Sequence, residues 1–158
     1  MSLLKTDSDS AHVRFPPPFI ALLSVLFGIL LNWFWPFQVI PGTLRWPLGS
    51  LFILGGLGVI ISCSRLFKKA QTNIEPWKTT SHIVTTGIYS LSRNPIYFSF
   101  VLIGLGIAFA ANILWIALMQ ILVFILIQKI AIAKEEHYLE SKFGDEYRNY
   151  KLKVRRWI

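Results

Sequence analysis

The chain has 158 residues, 54% of them hydrophobic, and a formal net charge of +8; its mean hydropathy is +0.53. The length suits one domain spanning residues 1–158, and the hydropathy excludes an ordinary soluble one. The positive charge would suit nucleic acid, but its residues lie beside apolar segments, where anionic headgroups attract them, so membrane lipids are the expected partner and nucleic acid is not.

Residues 1–17 read as a mobile N-terminal tail, and no cleavable signal peptide is expected, because the apolar run starts only after Pro16-Pro17-Pro18 and no small-residue cleavage site follows. Pro18 to Trp35 predicts a first membrane helix that ends in an interfacial Trp33, Trp35 and Pro36. Trp46 to Leu66 predicts a second, with Gly49, Gly55, Gly56 and Gly58 as a small-residue face for a neighbouring helix; residues 18–66 thus hold the first two membrane helices. The region 70–158 opens with a polar connection to Asn94, too long for a simple turn. From Pro95 to Ile132 the chain is almost continuously apolar. As one helix this run would measure about 57 Å, nearly twice a hydrocarbon core, so it must fold back as a hairpin. Asn112, the polar residue in FAANILW, marks its tip.

The tail is charged but patterned. Leu139, Phe143, Tyr147, Tyr150 and Val154 recur at helical spacing, which predicts an amphipathic helix bent near Gly144 and lying on the membrane surface or the hairpin. The expected fold is therefore all-α: an integral membrane protein with about four transmembrane helices, the third and fourth forming a hairpin, and a C-terminal amphipathic helix. With four crossings, fifteen of the sixteen basic residues fall on one face, which the positive-inside rule makes cytoplasmic. Both termini, the 70–94 connection and the amphipathic helix share that face, as in a bacterial inner membrane.

Polar residues on that face are the candidates for chemistry. Asn94-Pro95 reads as an N-cap and first helical residue, and Arg93 beside it as a headgroup anchor. A helix N-terminus with polar side chains also suits an anionic group. Glu135 and Glu136 flank the apolar face of Gln128, Ile132, Leu139 and Phe143 on opposite sides, so either can turn inward. His82 and His137 are possible bases and more simply surface residues; His12 lies in the tail. Cys63 sits inside an apolar segment, which leaves no disulfide framework, and no metal site is expected. Without G-x-G-x-x-G or a P-loop, a Rossmann-type nucleotide-binding domain is excluded.

GIYSLSRNPIYFS, followed some forty residues later by KEEHYLESKFGDEYRNYKLKVRRW, resembles the R-H-P-x-Y-x-G … E-E signature of the isoprenylcysteine carboxyl methyltransferase and phospholipid N-methyltransferase superfamily, small membrane enzymes without a Rossmann domain. The likeness covers roughly Thr72 to Trp157. It implies S-adenosyl-L-methionine as cofactor, lined by Ser81, His82, Ile83 and Val84, with Tyr89, Asn94, Pro95, Ile96 and Tyr97 as a second wall and Glu135, with its neighbour Glu136, contacting it. Tyr97, Asn94 and Arg93 become the catalytic candidates. Three positions depart from the pattern: Asn94 replaces the family histidine, Ser99 the glycine, and Ala131 an arginine of the eukaryotic carboxyl methyltransferases.

The implied function is methyl transfer to an amphiphilic or lipid-linked acceptor at the cytoplasmic membrane face, as in the isoprenylcysteine carboxyl O-methyltransferases. The alternative on the same scaffold is N-methylation of a phospholipid or lipid amine. An alternative of another class is a non-catalytic four-helix membrane protein for binding or assembly.

Overall fold

The structure, a computed structural model, describes residues 6–13 and 15–157. The expected tail falls partly outside them, at residues 1–5 and Arg14. In chain order the helices are α1 (Pro17–Phe34), α2 (Arg45–Lys69), α3 (Pro95–Ala111), α4 (Leu114–Ile127), α5 (Ala133–Phe143) and α6 (Asp145–Lys153). A 3-10 turn, Gly87–Ser90, precedes α3, and a π turn, Gln128–Ile132, joins α4 to α5. There is no strand among the described residues. The chain forms an all-α integral membrane protein. α1, α2 and the helical run Leu114–Phe143 are long and apolar enough to cross a bilayer. α3, at 17 residues, reaches only about 25 Å, slightly short of a ~30 Å hydrocarbon core.

The chain divides into two compact units. One holds Pro17–Gly58 and Tyr97–Ile127, and its large apolar side chains mostly face outward, among them Phe19, Leu26, Leu51, Leu54, Ile121 and Ile125. Such a surface is stable against lipid and not against water. Inside the unit, close packing rests on small residues. A Cβ on Gly28 would lie 2.9 Å from the backbone of Ile116, so α1 and α4 approach backbone to backbone there. Gly49 lies against Ala110 and Gly56 against Ile103, so α2 packs on α3 through these two glycines. Gly55 and Gly58, expected on the same face, have nothing within 4 Å of a built Cβ. Positions 49 and 56 are two turns apart and share a stripe; positions 55 and 58 lie off it.

The hairpin turns at Asn112 as expected. Its φ is +58°, a left-handed conformation that asparagine tolerates better than most residues. Its side-chain oxygen accepts from the backbone N–H groups of Val39 (2.9 Å) and Ile40 (3.1 Å) in the α1–α2 loop. Leu114 N–H donates to the Phe37 carbonyl (3.0 Å), and the Trp115 indole donates to that of Trp35 (2.6 Å). The tip of one hairpin therefore satisfies the loop of the other.

The second unit gathers the described residues up to Pro16, Val59–Ile96 and those from Gln128 onward. Its apolar centre is Cys63, Val84 and Tyr89, with Leu66, Phe67 and Ile74 packed around them. Gly87 takes φ +62°, and a Cβ added there would meet the Leu66 side chain at 3.0 Å. Gly144, at φ +53°, separates α5 from α6, which is the bend expected there. Residues 6–13, expected within a mobile tail, are instead packed: Ser10, Ala11 and Val13 are buried. The apolar stub of Ala11 and Val13 gives this polar stretch something to bury.

Candidate functional site

The start of α3 is held by several hydrogen bonds within the second unit. Pro95 opens the helix without needing a donor, and the three residues before it supply polar groups that the helix cannot use. The C-terminal segment takes them up. Arg93 N–H donates to the Arg155 carbonyl at 3.0 Å. The Ser92 hydroxyl (3.3 Å) and the Asn94 amide (3.1 Å) both donate to the Arg156 carbonyl. Asn94 N–H returns to the Ser92 hydroxyl at 3.2 Å. Both Ser92 and Asn94 are buried, so these bonds replace water that cannot reach them.

Around this clasp lies an ion cluster. The Arg93 guanidinium donates to the Lys151 carbonyl near the end of α6 (3.1 Å) and to Glu136 on α5 (2.9 Å). Glu136 also accepts from Arg156, at 3.1 Å on one oxygen and on the other as well. The side chains of Arg93 and Glu136 are each only 9% exposed, so this pair is shielded from water; Arg156, at 40%, lies at the edge. Hydrogen bonding to Glu136 lifts Arg156 above the ordinary guanidinium value, which leaves its charge permanent.

The remaining wall is aromatic. The Tyr150 hydroxyl donates to the Tyr89 carbonyl at 2.6 Å, a buried bond, and Tyr147 packs 6.0 Å from Tyr150, ring centre to ring centre. Burial pushes the Tyr89, Tyr147 and Tyr150 hydroxyls well above the usual tyrosine range. For Tyr89 the ionisable groups of Cys63 and then Glu135 add to that rise. These tyrosines stay protonated throughout the working pH range and serve as donors and aromatic surface. Replacing Tyr150 with phenylalanine is expected to lower stability by about 1–2 kcal/mol, because a buried carbonyl loses its donor; chemical unfolding in detergent measures it.

The residues singled out from the sequence are distributed as follows. Ser81 and His82 are exposed, Ile83 is half-buried and Val84 is buried. The Ser81 and His82 N–H groups both point at the Thr72 hydroxyl, at 2.8 and 3.4 Å. Tyr89, Asn94 and Pro95 are buried and Ile96 is half-buried. Glu135 is half-buried, whereas Glu136 is buried and held by two arginines. Tyr97 is buried on α3 in the other unit, its ring edge-on to Phe100 at 6.4 Å. Ser99 is fully buried on the same helix, as is Ala131 in the π turn. His137 is exposed on α5.

Sequence reasoning missed Arg155 and Arg156, whose carbonyls hold the α3 start, and Tyr138 on α5, whose hydroxyl accepts from Thr80 N–H at 3.2 Å. Tyr150 was visible as part of the amphipathic stripe, though not its partner. Backbone carbonyls carry no side-chain signature, so no motif would have found the clasp.

Glu136 has its oxygens committed to guanidinium groups. Glu135 is a half-buried carboxylate on α5, a type of group that accepts from hydroxyl donors or pairs with a cation. Among the described residues, no group of three His, Cys, Asp or Glu side chains could hold a metal ion.

Comparison with known proteins gives this arrangement a context. Residues 44–146 match the model of the phospholipid methyltransferase family. Over 152 residues the chain is 28% identical to the Schizosaccharomyces pombe protein-S-isoprenylcysteine O-methyltransferase, covering 85% of this chain and 64% of that one. It thus spans just under two thirds of the yeast protein. A 44-residue stretch is 61% identical to an uncharacterized protein of Haemophilus influenzae, covering 27% of this chain and 70% of that one. No solved structure matches.

Proposed function

Because the chain belongs to the phospholipid methyltransferase family, we propose that it is an S-adenosylmethionine-dependent membrane methyltransferase acting on an amphiphilic or lipid-linked acceptor. The observation that carries this reading is that the whole candidate constellation, from Ser81 to Glu136, falls inside the matched region 44–146. The cofactor, when bound, supplies an electrophilic methyl carbon attached to sulfonium. Ser81 to Val84 and Tyr89 would line it, and Glu135 would accept from its ribose hydroxyls or pair with its ammonium group. Asn94, Pro95 and Ile96 would form the opposing wall. Glu136 and Arg93 act one step back: they hold the start of α3 and the C-terminal segment in register.

Ser81 to Val84, Tyr89 and Glu135 would hold the bound cofactor while its methyl group passes to the acceptor nucleophile and a neutral thioether is left. The protein's task is alignment and exclusion of water. The buried tyrosines are held protonated and so offer no base, and the Glu136 carboxylate is taken up by two arginines. An acceptor carboxylate needs no base, which favours O-methylation of the kind named for the yeast relative. The name of the matching family favours the second reading, N-methylation of a phospholipid amine. In either case the acceptor would enter from the bilayer and the cofactor from the cytoplasmic face, where the basic residues collect.

Binding of labelled S-adenosylmethionine to the purified protein in detergent tests the reading. Glu135→Ala is expected to weaken it roughly tenfold, the loss of one charge-assisted contact. Undiminished binding would sink the site, and no binding by the unmodified protein would favour the non-catalytic membrane protein. Base treatment of labelled lipid extracts then separates methyl esters, which hydrolyse, from N-methyl groups, which do not.

A further inference from the structure

Residues 6–13 are mostly polar and carry two aspartates. They are nevertheless held in a defined path. Val13 is fully buried, and Ser10 and Ala11 nearly so. The Ser10 hydroxyl donates to the Asp7 carbonyl at 2.8 Å, and His12 N–H approaches the same hydroxyl at 3.4 Å. This local turn directs Asp7 and Asp9 to two different elements. Asp7 N–H donates to the Trp77 carbonyl at 3.0 Å. The Asp7 carboxylate accepts from both the N–H (3.0 Å) and the hydroxyl (3.3 Å) of Thr79. Asp9 instead meets α5: its carboxylate pairs with Lys142, and its carbonyl accepts from the Tyr138 hydroxyl at 3.1 Å. That hydroxyl in turn accepts from Thr80 N–H at 3.2 Å and from the Lys142 ammonium at 3.1 Å.

Thr79 and Thr80 immediately precede Ser81, and Tyr138 lies three residues after Glu135 on α5. The N-terminal segment therefore bridges the two pieces of chain that carry the candidate cofactor contacts. We propose that residues 6–13 are a positioning latch, in which Asp7 and Asp9, acting through Thr79, Tyr138 and Lys142, fix the Ser81–Val84 segment relative to Glu135.

The physical basis is preorganisation. From Ala70 to Asn94 the only regular element is the four-residue 3-10 turn, so the Ser81–Val84 segment has no helix of its own to order it. Holding it in place before the ligand arrives removes an ordering cost from binding. The Asp9–Lys142 pair is partly exposed, and exposed pairs contribute little. The Asp7 carboxylate adds two exposed bonds to one residue, Thr79, and the Tyr138 hydroxyl joins both sides, donating to Asp9 and accepting from Thr80 N–H in a part-buried bond. None of these groups touches a reacting atom; they are positioning residues.

This latch rests on the reading that Ser81–Val84 and Glu135 hold the cofactor, and the test separates the two. Full-length protein in detergent is titrated with labelled S-adenosylmethionine and its melting temperature is followed in parallel. Asp7→Ala and Tyr138→Phe are each expected to weaken binding roughly fivefold, the loss of about one hydrogen bond, with little change in melting temperature. Asp7→Asn, whose amide oxygen still accepts from Thr79, is expected to bind as the unmodified protein does. If Asp7→Ala and Tyr138→Phe bind normally while Glu135→Ala does not, the latch is overturned and the cofactor site stands. If Asp7→Ala loses affinity and melting temperature together and Asp7→Asn restores neither, the segment is only structural and the latch is again overturned. If Glu135→Ala also binds normally, or the unmodified protein fails to bind, both readings fall.

Discussion

Replacing Glu136 with alanine is expected to lower the unfolding free energy by about 3–5 kcal/mol, the range for removing one partner of a buried ion pair, and to abolish cofactor binding with it. The size follows from what is left behind. The Arg93 side chain is 9% exposed, and its Nε is already buried without a hydrogen-bond partner. Without Glu136, one Lys151 carbonyl at 3.1 Å is its remaining side-chain acceptor, and a dry guanidinium with one acceptor is poorly tolerated. Arg156→Ala should cost much less, because Arg156 is 40% exposed and water takes over. The double replacement Arg93→Met with Glu136→Leu should recover much of the Glu136→Ala loss, since apolar residues of similar volume often substitute for a buried pair. Denaturant unfolding in detergent measures all three. Glu136→Ala unfolding like the unmodified protein would mean that the cluster does not hold the α3 start.

The second large effect belongs to the membrane helices. Gly106→Ala is expected to destabilise by about 1–3 kcal/mol, the usual range for overpacking. Its Cβ would lie 2.8 Å from the backbone nitrogen of Ile53 and 2.9 Å from the Gly49 carbonyl oxygen. Backbone atoms cannot rotate away, so α2 and α3 must separate there. Gly55→Ala is the matched control on α2: nothing lies within 4 Å of its Cβ, and alanine favours a helix over glycine by up to ~1 kcal/mol. The two variants should therefore shift the thermal unfolding midpoint in opposite directions. Equal midpoints would show that these helices are not in close contact at Gly106.

Much of the fold was legible because polar residues interrupt an otherwise apolar chain. Asn94-Pro95 and Asn112 bound α3, and Gly144 marks the bend between α5 and α6. What needs a partner to be defined was not legible. The four glycines of α2 look alike in sequence, yet only Gly49 and Gly56 meet α3. Glu135 and Glu136 were equivalent on a uniform helical wheel, which assumes a constant ~100° per residue. The π turn at Gln128–Ile132 breaks that assumption just before them, because each π turn holds one residue more than an α turn. Burial of Glu136 is a consequence that no wheel of constant step could supply. The helix start at Asn94-Pro95 was readable, but its attachment to the carbonyls of Arg155 and Arg156 was not, since any residue offers a carbonyl.

The Asn112 amide also sets an order of events during synthesis. The Val39 and Ile40 N–H groups acquire their acceptor only after more than seventy further residues have been made. Until then the α1–α2 loop lacks that acceptor. Arrival of the second tip supplies two bonds through one side chain. This contact between the two hairpin ends therefore forms only after the α3–α4 turn has been made.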